Sequence, residues 1–310
     1  MIDAVADEED LRVKIAVTGA TGVLGQEAVA ALAEAGHEVT GVTRRDRGVP
    51  VIEGRGGRGI VADVFDVDDL ARTFSRHDVV INTLAHVPVD MTAMRPLAWR
   101  EDDRLHLEAS VAIAEAARRA GVRKLIQEST AFLYPDNGSE WIGEDEPLAV
   151  RDRAFRPRVR EMRAAVDFAT EGRSAVILRL GQLFGRDPQT THMLQAAREG
   201  KAVLLGKPEN YIPLLHHRDA GRAFVSALRA GSGFYNVAGE PLTRERWAKD
   251  LGRESKASGP AKFIPEITQA IVGTRLEVQR RSLRISSVRF MSETGWRPTI
   301  GPSTPGWSRM

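Results

Sequence analysis

Gly19, Gly22 and Gly25 recur at every third position, directly after the short β-branched run Val13 to Val17 and at the start of a segment that spaces Leu24, Ala28, Leu32 and Ala35 as a helix would. A strand, a glycine turn and a helix in that order constrain the fold more than any other feature of the chain. The chain has to turn sharply, a pyrophosphate has to reach the backbone with no Cβ in the way, and the helix has to pack close to its strand. The start of that helix then offers free N–H groups and the positive end of its dipole to phosphates. Gly36 follows Ala35 where a left-handed C-terminal cap is expected.

Strand and helix patterns alternate through the next 150 residues. Glu38 to Val42, Gly59 to Ala62 and Asp78 to Asn82 read as strands, and Asp66 is placed to cap a helix running to Ser75. Leu105, Ala109, Ala112 and Ala116 line one face of a long helix that stops at Gly121. Lys124 to Ser129 and Ala175 to Leu180 read as further strands, with a helix between them ending near Gly172. This alternation predicts an α/β fold, a doubly wound parallel sheet of the Rossmann type. Beyond Leu180 the rhythm becomes irregular, with a helix around Met193 to Glu199 and an apolar piece at Val203 to Leu205. Asp219 to Ala230 and Phe234 to Val237 then look like one more helix and strand of the main sheet. The expected organisation is an acidic tail at 1–10, a dinucleotide-binding domain at 11–180 joined by 218–240, and a smaller substrate lobe from 181–217 and 241–310.

Composition narrows the partners. The 44 basic and 42 acidic residues nearly cancel and no long basic block forms, so nucleic acid is not expected as a partner. The densest basic stretch, Arg151 to Arg163, is interrupted by Asp152 and Glu161 and reads as a solvated helix face. Without cysteine there is no disulfide framework and no thiolate metal site, and no Glu/His cluster has metal-ligand spacing. The acidic start MIDAVADEED is unlike a signal peptide, and no apolar run approaches the roughly 20 residues that cross a bilayer. A cytoplasmic protein with a small-molecule substrate and no membrane partner is expected; a homodimer is compatible with this reading.

The glycine spacing and several later segments together resemble the extended short-chain dehydrogenase/reductase family, also called NAD-dependent epimerases/dehydratases. Those segments are Val61-Ala62-Asp63-Val64, Asn82-Thr83-Leu84-Ala85-His86, Gln127 to Tyr134, Leu178 to Gly185, His217 to Ala223, Tyr235 to Gly239 and Thr294 to Pro298. The resemblance implies that Gly19, Gly22 and Gly25 cradle pyrophosphate and that Thr21, Val23 and Leu24 also belong to the cofactor site. It implies that Asp63 holds the adenine amino group with Val64 next to it at the cofactor, that Leu84, Ala85 and His86 lie beside the cofactor, and that Gly181 belongs to a loop running past the nicotinamide. At the end of the second strand, Thr43 stands where an acid would accept the ribose hydroxyls of NAD(H), and Arg44 and Arg45 follow, able to clamp a 2′-phosphate. NADP(H) is therefore expected as cofactor ahead of NAD(H).

The family's proton-handling pair, a Tyr and a Lys four residues later, should lie about 25 residues after the serine position, which Thr130 occupies here. The segment Arg153-Ala154-Phe155-Arg156-Pro157-Arg158-Val159-Arg160-Glu161 holds neither; Phe155 and Val159 stand in their places. Thr130 is expected to polarise a substrate oxygen, with Tyr134 named beside it as a catalytic candidate, and His86, His192, Tyr211, His216 or His217 as other donors. The expected activity is an NADP(H)-binding oxidoreductase acting on a carbonyl or alcohol. A cofactor-using isomerase, epimerase or dehydratase, or a catalytically silent NADP(H) sensor, stays open as an alternative.

Overall fold

The computed structural model describes residues 12–150, 153–170, 172–265 and 274–310; the acidic tail and the first two residues of the basic stretch lie outside them. Seven parallel strands form the central sheet: β1 (Lys14–Thr18), β2 (Glu38–Thr43), β3 (Arg58–Val61), β4 (Val79–Asn82), β5 (Lys124–Thr130), β6 (Ser174–Leu180) and β7 (Gly233–Val237). Their spatial order is β3-β2-β1-β4-β5-β6-β7. The order reverses at β1, which pairs with β2 on one side and β4 on the other. A reversal of this kind opens a crevice at the carboxyl ends of the strands, where doubly wound sheets bind ligands.

Alternation along each strand sends residues to opposite faces. Ile15 and Val17 join one buried cluster with α1 (Val23–Glu34), while Ala16 joins another with α2 (Val67–Phe74). The first cluster also takes in α7 (His217–Ala227), which packs on α1 at Gly221, where a Cβ would lie 2.6 Å from the Glu27 carbonyl oxygen. The second takes in α4 (Ser110–Arg119) and α5 (Arg156–Phe168). Asp66 caps α2 by accepting the N–H groups of Asp68 and Asp69, as its position predicts. Gly36, at φ +86°, takes the left-handed conformation that ends α1.

The long helix differs from its expected form. It starts as α3 (Arg100–Arg104), widens to π-helical spacing over Leu105–Ala109, and only then continues as α4. A π-helical turn shifts the facing of later residues and marks functional sites in many helices. A third cluster, with Phe184, Leu194, Leu251, Trp247 and Trp307, unites α6 (Pro188–Arg198) with α8 (Arg244–Ser255). Phe290 and Trp296, which the sequence assigns to that lobe, instead pack with the sheet cluster of β1 and α1. Among the described residues no helix is long and apolar enough to cross a membrane.

Candidate functional site

A cleft of about 480 Å³ opens at the reversal point of the sheet. Its floor is the β1–α1 turn, where Gly19 has φ +75° and a Cβ would stand 2.8 Å from the Thr83 backbone. At Gly25 a Cβ would come within 2.1 Å of the Gly19 carbonyl oxygen, so the turn and helix close on one another only because no side chain intervenes. No side chain caps α1 at Gly22 and its first turn carries no acid, which leaves that end free for an anion. Arg44, Arg45 and Arg47 line the cleft just after β2, on one side of β1, and Leu84, Ala85 and His86 just after β4, on the other.

Gly19, Thr21, Gly22, Arg44, Arg45, Val64, Leu84, Ala85 and His86 therefore meet around one space. The remaining nominated residues stand behind or beside it. Val23, Leu24 and Gly25 form the first turn of α1. The Asp63 carboxylate accepts the Phe65 N–H at 2.9 Å. Gly181 donates its N–H to the Val237 carbonyl and passes Pro213 so closely that a Cβ would be 2.4 Å from its oxygen. Thr130, half-buried at the end of β5, accepts the Phe132 N–H at 3.2 Å. Sequence reasoning missed Glu101, Leu105 and Thr83 as cleft residues. The π-helical turn that places Leu105 leaves no signature in apolar spacing.

The nominated proton donors stand elsewhere. Tyr134 is fully buried; its hydroxyl donates to Asn236 Oδ1 at 2.9 Å and accepts from Arg179 Nη1 at 2.5 Å, so it braces β5 against the outer strands. The chain's other two tyrosines are similarly engaged: Tyr235 donates to Glu293 at 2.6 Å, and Tyr211 lies under the Arg284 guanidinium. Burial, reinforced by Arg218, pushes the neighbouring His216 and His217 down to about 4, so both are neutral at pH 7. His216 contacts the Trp307 carbonyl, His217 accepts the Arg186 N–H, and His192 is exposed on α6. Phe155 is packed in the core and Val159 is half-buried. Of the donors considered, His86 alone lines the cleft, and among the described residues no tyrosine or lysine does.

Behind the cleft wall runs an ionic chain that the sequence did not announce. Asp102, 2% exposed, accepts the backbone N–H of His86 at 2.8 Å and faces His106 Nε2 at 3.2 Å. The other ring nitrogen of His106 closes on the Glu161 carboxylate. Arg158 lies 3.8 Å from Glu161 and 3.1 Å from Glu128, at the end of β5. Burial and then Arg158 oppose a charge on His106, yet Glu161 and Asp102 outweigh them and raise it to about 9. Burial pushes Glu128 up to about 7, with Arg158 opposing. Three carboxylates, Asp102, Glu161 and Glu128, thus share two cations, His106 and Arg158. The i,i+4 spacing of Asp102 and His106 and the i,i+3 spacing of Arg158 and Glu161 were the available signals.

A second hollow, about 190 Å³, lies between Asp136 and the later residues Gly206, Lys207, Asn210, Glu277, Arg280 and Arg281. Arg281 donates to the carbonyls of Phe132 and Tyr134, which ties this hollow to the segment just after Thr130. Arg244 approaches Gly206 from beneath: a Cβ there would be 2.7 Å from its Nε.

Residues 15–238 match the model of the NAD dependent epimerase/dehydratase family. A Streptomyces protein named 3-diazoavenalumate denitrifying reductase is 31% identical over 95% of this chain and 97% of its own length. An L-arabinose 1-dehydrogenase (NAD(P)(+)) of Haloferax volcanii is 33% identical over 39% of this chain and 42% of its own. Among solved structures, the human epimerase family protein SDR39U1 (isoform 2) with NADPH superposes with a TM-score of 0.76 at 21% identity, covering 95% of this chain and 96% of that one. UDP-glucuronic acid 4-epimerase from Bacillus cereus, in complex with UDP-glucuronic acid and NAD, gives 0.76 at 18% identity over 94% and 95%. The glycine turn, the sheet order and a family match covering most of the length agree: the chain belongs to the NAD-dependent epimerase/dehydratase family.

Proposed function

We propose that this chain is an NADP(H)-dependent reductase whose acceptor takes a hydride without needing a proton from the protein. One observation carries the reading: among the described residues the cleft pairs a phosphate cradle and three guanidinium groups with no tyrosine or lysine, and His86 is the one nominated donor that lines it. Gly19, Gly22 and the first turn of α1 hold the pyrophosphate, and Arg44 and Arg45 the 2′-phosphate. Asp63 and Val64 hold the adenine end, and Leu84 to His86 border the nicotinamide. NADPH supplies the hydride when bound.

A carbonyl that accepts hydride becomes an alkoxide, which demands an acid; losing one typically costs about 10²- to 10⁴-fold in rate. An arenediazonium group makes no such demand. An arenediazonium that accepts hydride loses its C–N bond and becomes Ar–H and N₂, the electron pair of the C–N bond leaving with the nitrogen. The sum, Ar–N₂⁺ + H⁻ → Ar–H + N₂, consumes no proton. The name of the Streptomyces relative, a denitrifying reductase acting on a diazo acid, supports the same class for this chain. Lys207 and Arg280, which share the second hollow with Asp136 and Glu277, are the cations we assign to an anionic end of the substrate; Arg281 there is paired with Glu277.

The test is NADPH oxidation with an aromatic diazo carboxylate and, separately, with the matching aromatic aldehyde. The reading expects oxidation of the diazo acid above the protein-free rate, with one N₂ released per NADPH, and slow or no reduction of the aldehyde. Aldehyde reduction equal to or faster than the diazo reaction would restore the carbonyl reading and overturn this one.

A further inference from the structure

Glu101 and Asp102, adjacent on α3, point to opposite sides of the cleft wall and tie down its β2 and β4 flanks. Glu101 Oε1 reaches across to Arg44 Nη1 at 2.9 Å, while Asp102 turns inward to the His86 N–H. Among the described residues lining the cleft, Glu101 is the sole carboxylate, set against Arg44, Arg45 and Arg47. We propose that Glu101 is a specificity-determining residue: its carboxylate competes with the cofactor's 2′-phosphate for Arg44 and so limits the preference for NADPH over NADH. This inference rests on the cofactor reading above.

The competition follows from charge and exposure. The Arg44 and Glu101 side chains are 61% and 37% exposed, and an ion pair of that kind is weak. A phosphate monoester carries about −1.5 to −2 charges at pH 7, so it outbids one carboxylate for the guanidinium. Glu101 is then left beside a phosphate of its own sign. The buried contacts of Asp102 with His86 and His106 hold the backbone of that turn, so Glu101 can turn its side chain but the turn itself stays near the cleft. A ribose without phosphate leaves the pair intact and feels nothing of Glu101.

Fluorescence titration of the full chain with NADPH and with NADH, for the unmodified protein, Glu101→Gln, Arg44→Ala and the double variant, tests this directly. Glu101→Gln should tighten NADPH about three- to tenfold at low ionic strength, and less at physiological ionic strength, because the interaction is exposed. NADH should change by less than about twofold, and the gain should vanish in the Arg44→Ala background. Unchanged or weaker NADPH binding in Glu101→Gln, with the unmodified protein still preferring NADPH, overturns the inference and leaves the cofactor reading standing. A gain that persists without Arg44 also overturns it. Equal affinity of the unmodified protein for both cofactors removes the cofactor reading and the inference with it.

Discussion

Thr130 and Tyr134 lie four positions apart at the end of β5, and their surroundings give them different work. Tyr134→Phe deletes a buried hydroxyl that serves both Arg179 and Asn236. The expected cost is about 1–3 kcal/mol of stability, read from denaturant midpoints, with turnover per folded molecule unchanged. A loss of turnover without a loss of stability would return Tyr134 to the chemistry. Thr130→Val discriminates between acceptors. If an oxyanion developed beside it, losing the hydroxyl should cost about 10²- to 10³-fold in kcat. On a diazo acceptor no oxyanion forms, and the expected change is within about threefold, the size of a hydrogen bond that is merely structural. At this scale the sequence was informative about backbone and uninformative about side-chain partners. Gly19 and Gly25 announce their close approaches because glycine spacing is local. The Arg44–Glu101 pair joins residues 57 positions apart, and nothing in either neighbourhood points to the other.

The elements that shape the cleft are the β1–α1 turn and the interrupted helix formed by α3, its π-helical turn and α4. That helix carries Glu101 and Leu105 into the cleft and Asp102 and His106 into the protein. The sequence places a helix here from Leu105, Ala109, Ala112 and Ala116, and it exists; its widened turn, which shares a buried cluster with α5, is not encoded in apolar spacing. The ionic chain links that turn to α5 and β5 through Glu161, Arg158 and Glu128, and it makes stability depend on pH. His106 rises from its usual 6.5 to about 9 in the fold, so its contribution is complete below 6.5 and is lost as pH climbs through 9. Glu128, raised from 4.5 to about 7, favours the protonated form and works in the same direction over that lower window. Stability should therefore fall between pH 6.5 and 9 by at most about 1.4 kcal/mol per pH unit from His106. His106→Gln should flatten that slope in urea midpoints; an unchanged slope would show that His106 stays neutral in the folded protein.

At the scale of the molecule, the doubly wound sheet puts the proposed cofactor cleft at its reversal point, and a second hollow of mixed charge, with Asp136 and Glu277 beside Lys207, Arg280 and Arg281, lies past the end of β5. The sheet was legible from alternating strand and helix patterns, since each strand is short, apolar and followed by its crossover. The C-terminal lobe was legible only as a change of rhythm: its small paired strands and its shared core with Trp247 and Trp307 join segments far apart in sequence. Lys207→Ala should raise KM for a carboxylate-bearing acceptor about three- to tenfold while sparing kcat, as expected for loss of uniform binding. The neutral amide of the same acceptor should show no change; a parallel rise would mean that Lys207 supports the lobe and does not meet the substrate. The central claim is that the new hydrogen comes from the cofactor and that the protein supplies no proton, and isotope placement reads this directly. A diazo carboxylate turned over with 4-deuterated NADPH in ordinary water should give product carrying deuterium at the former diazo carbon, and turnover with unlabelled NADPH in heavy water should give product without it. Deuterium drawn from heavy water at that carbon would contradict the account.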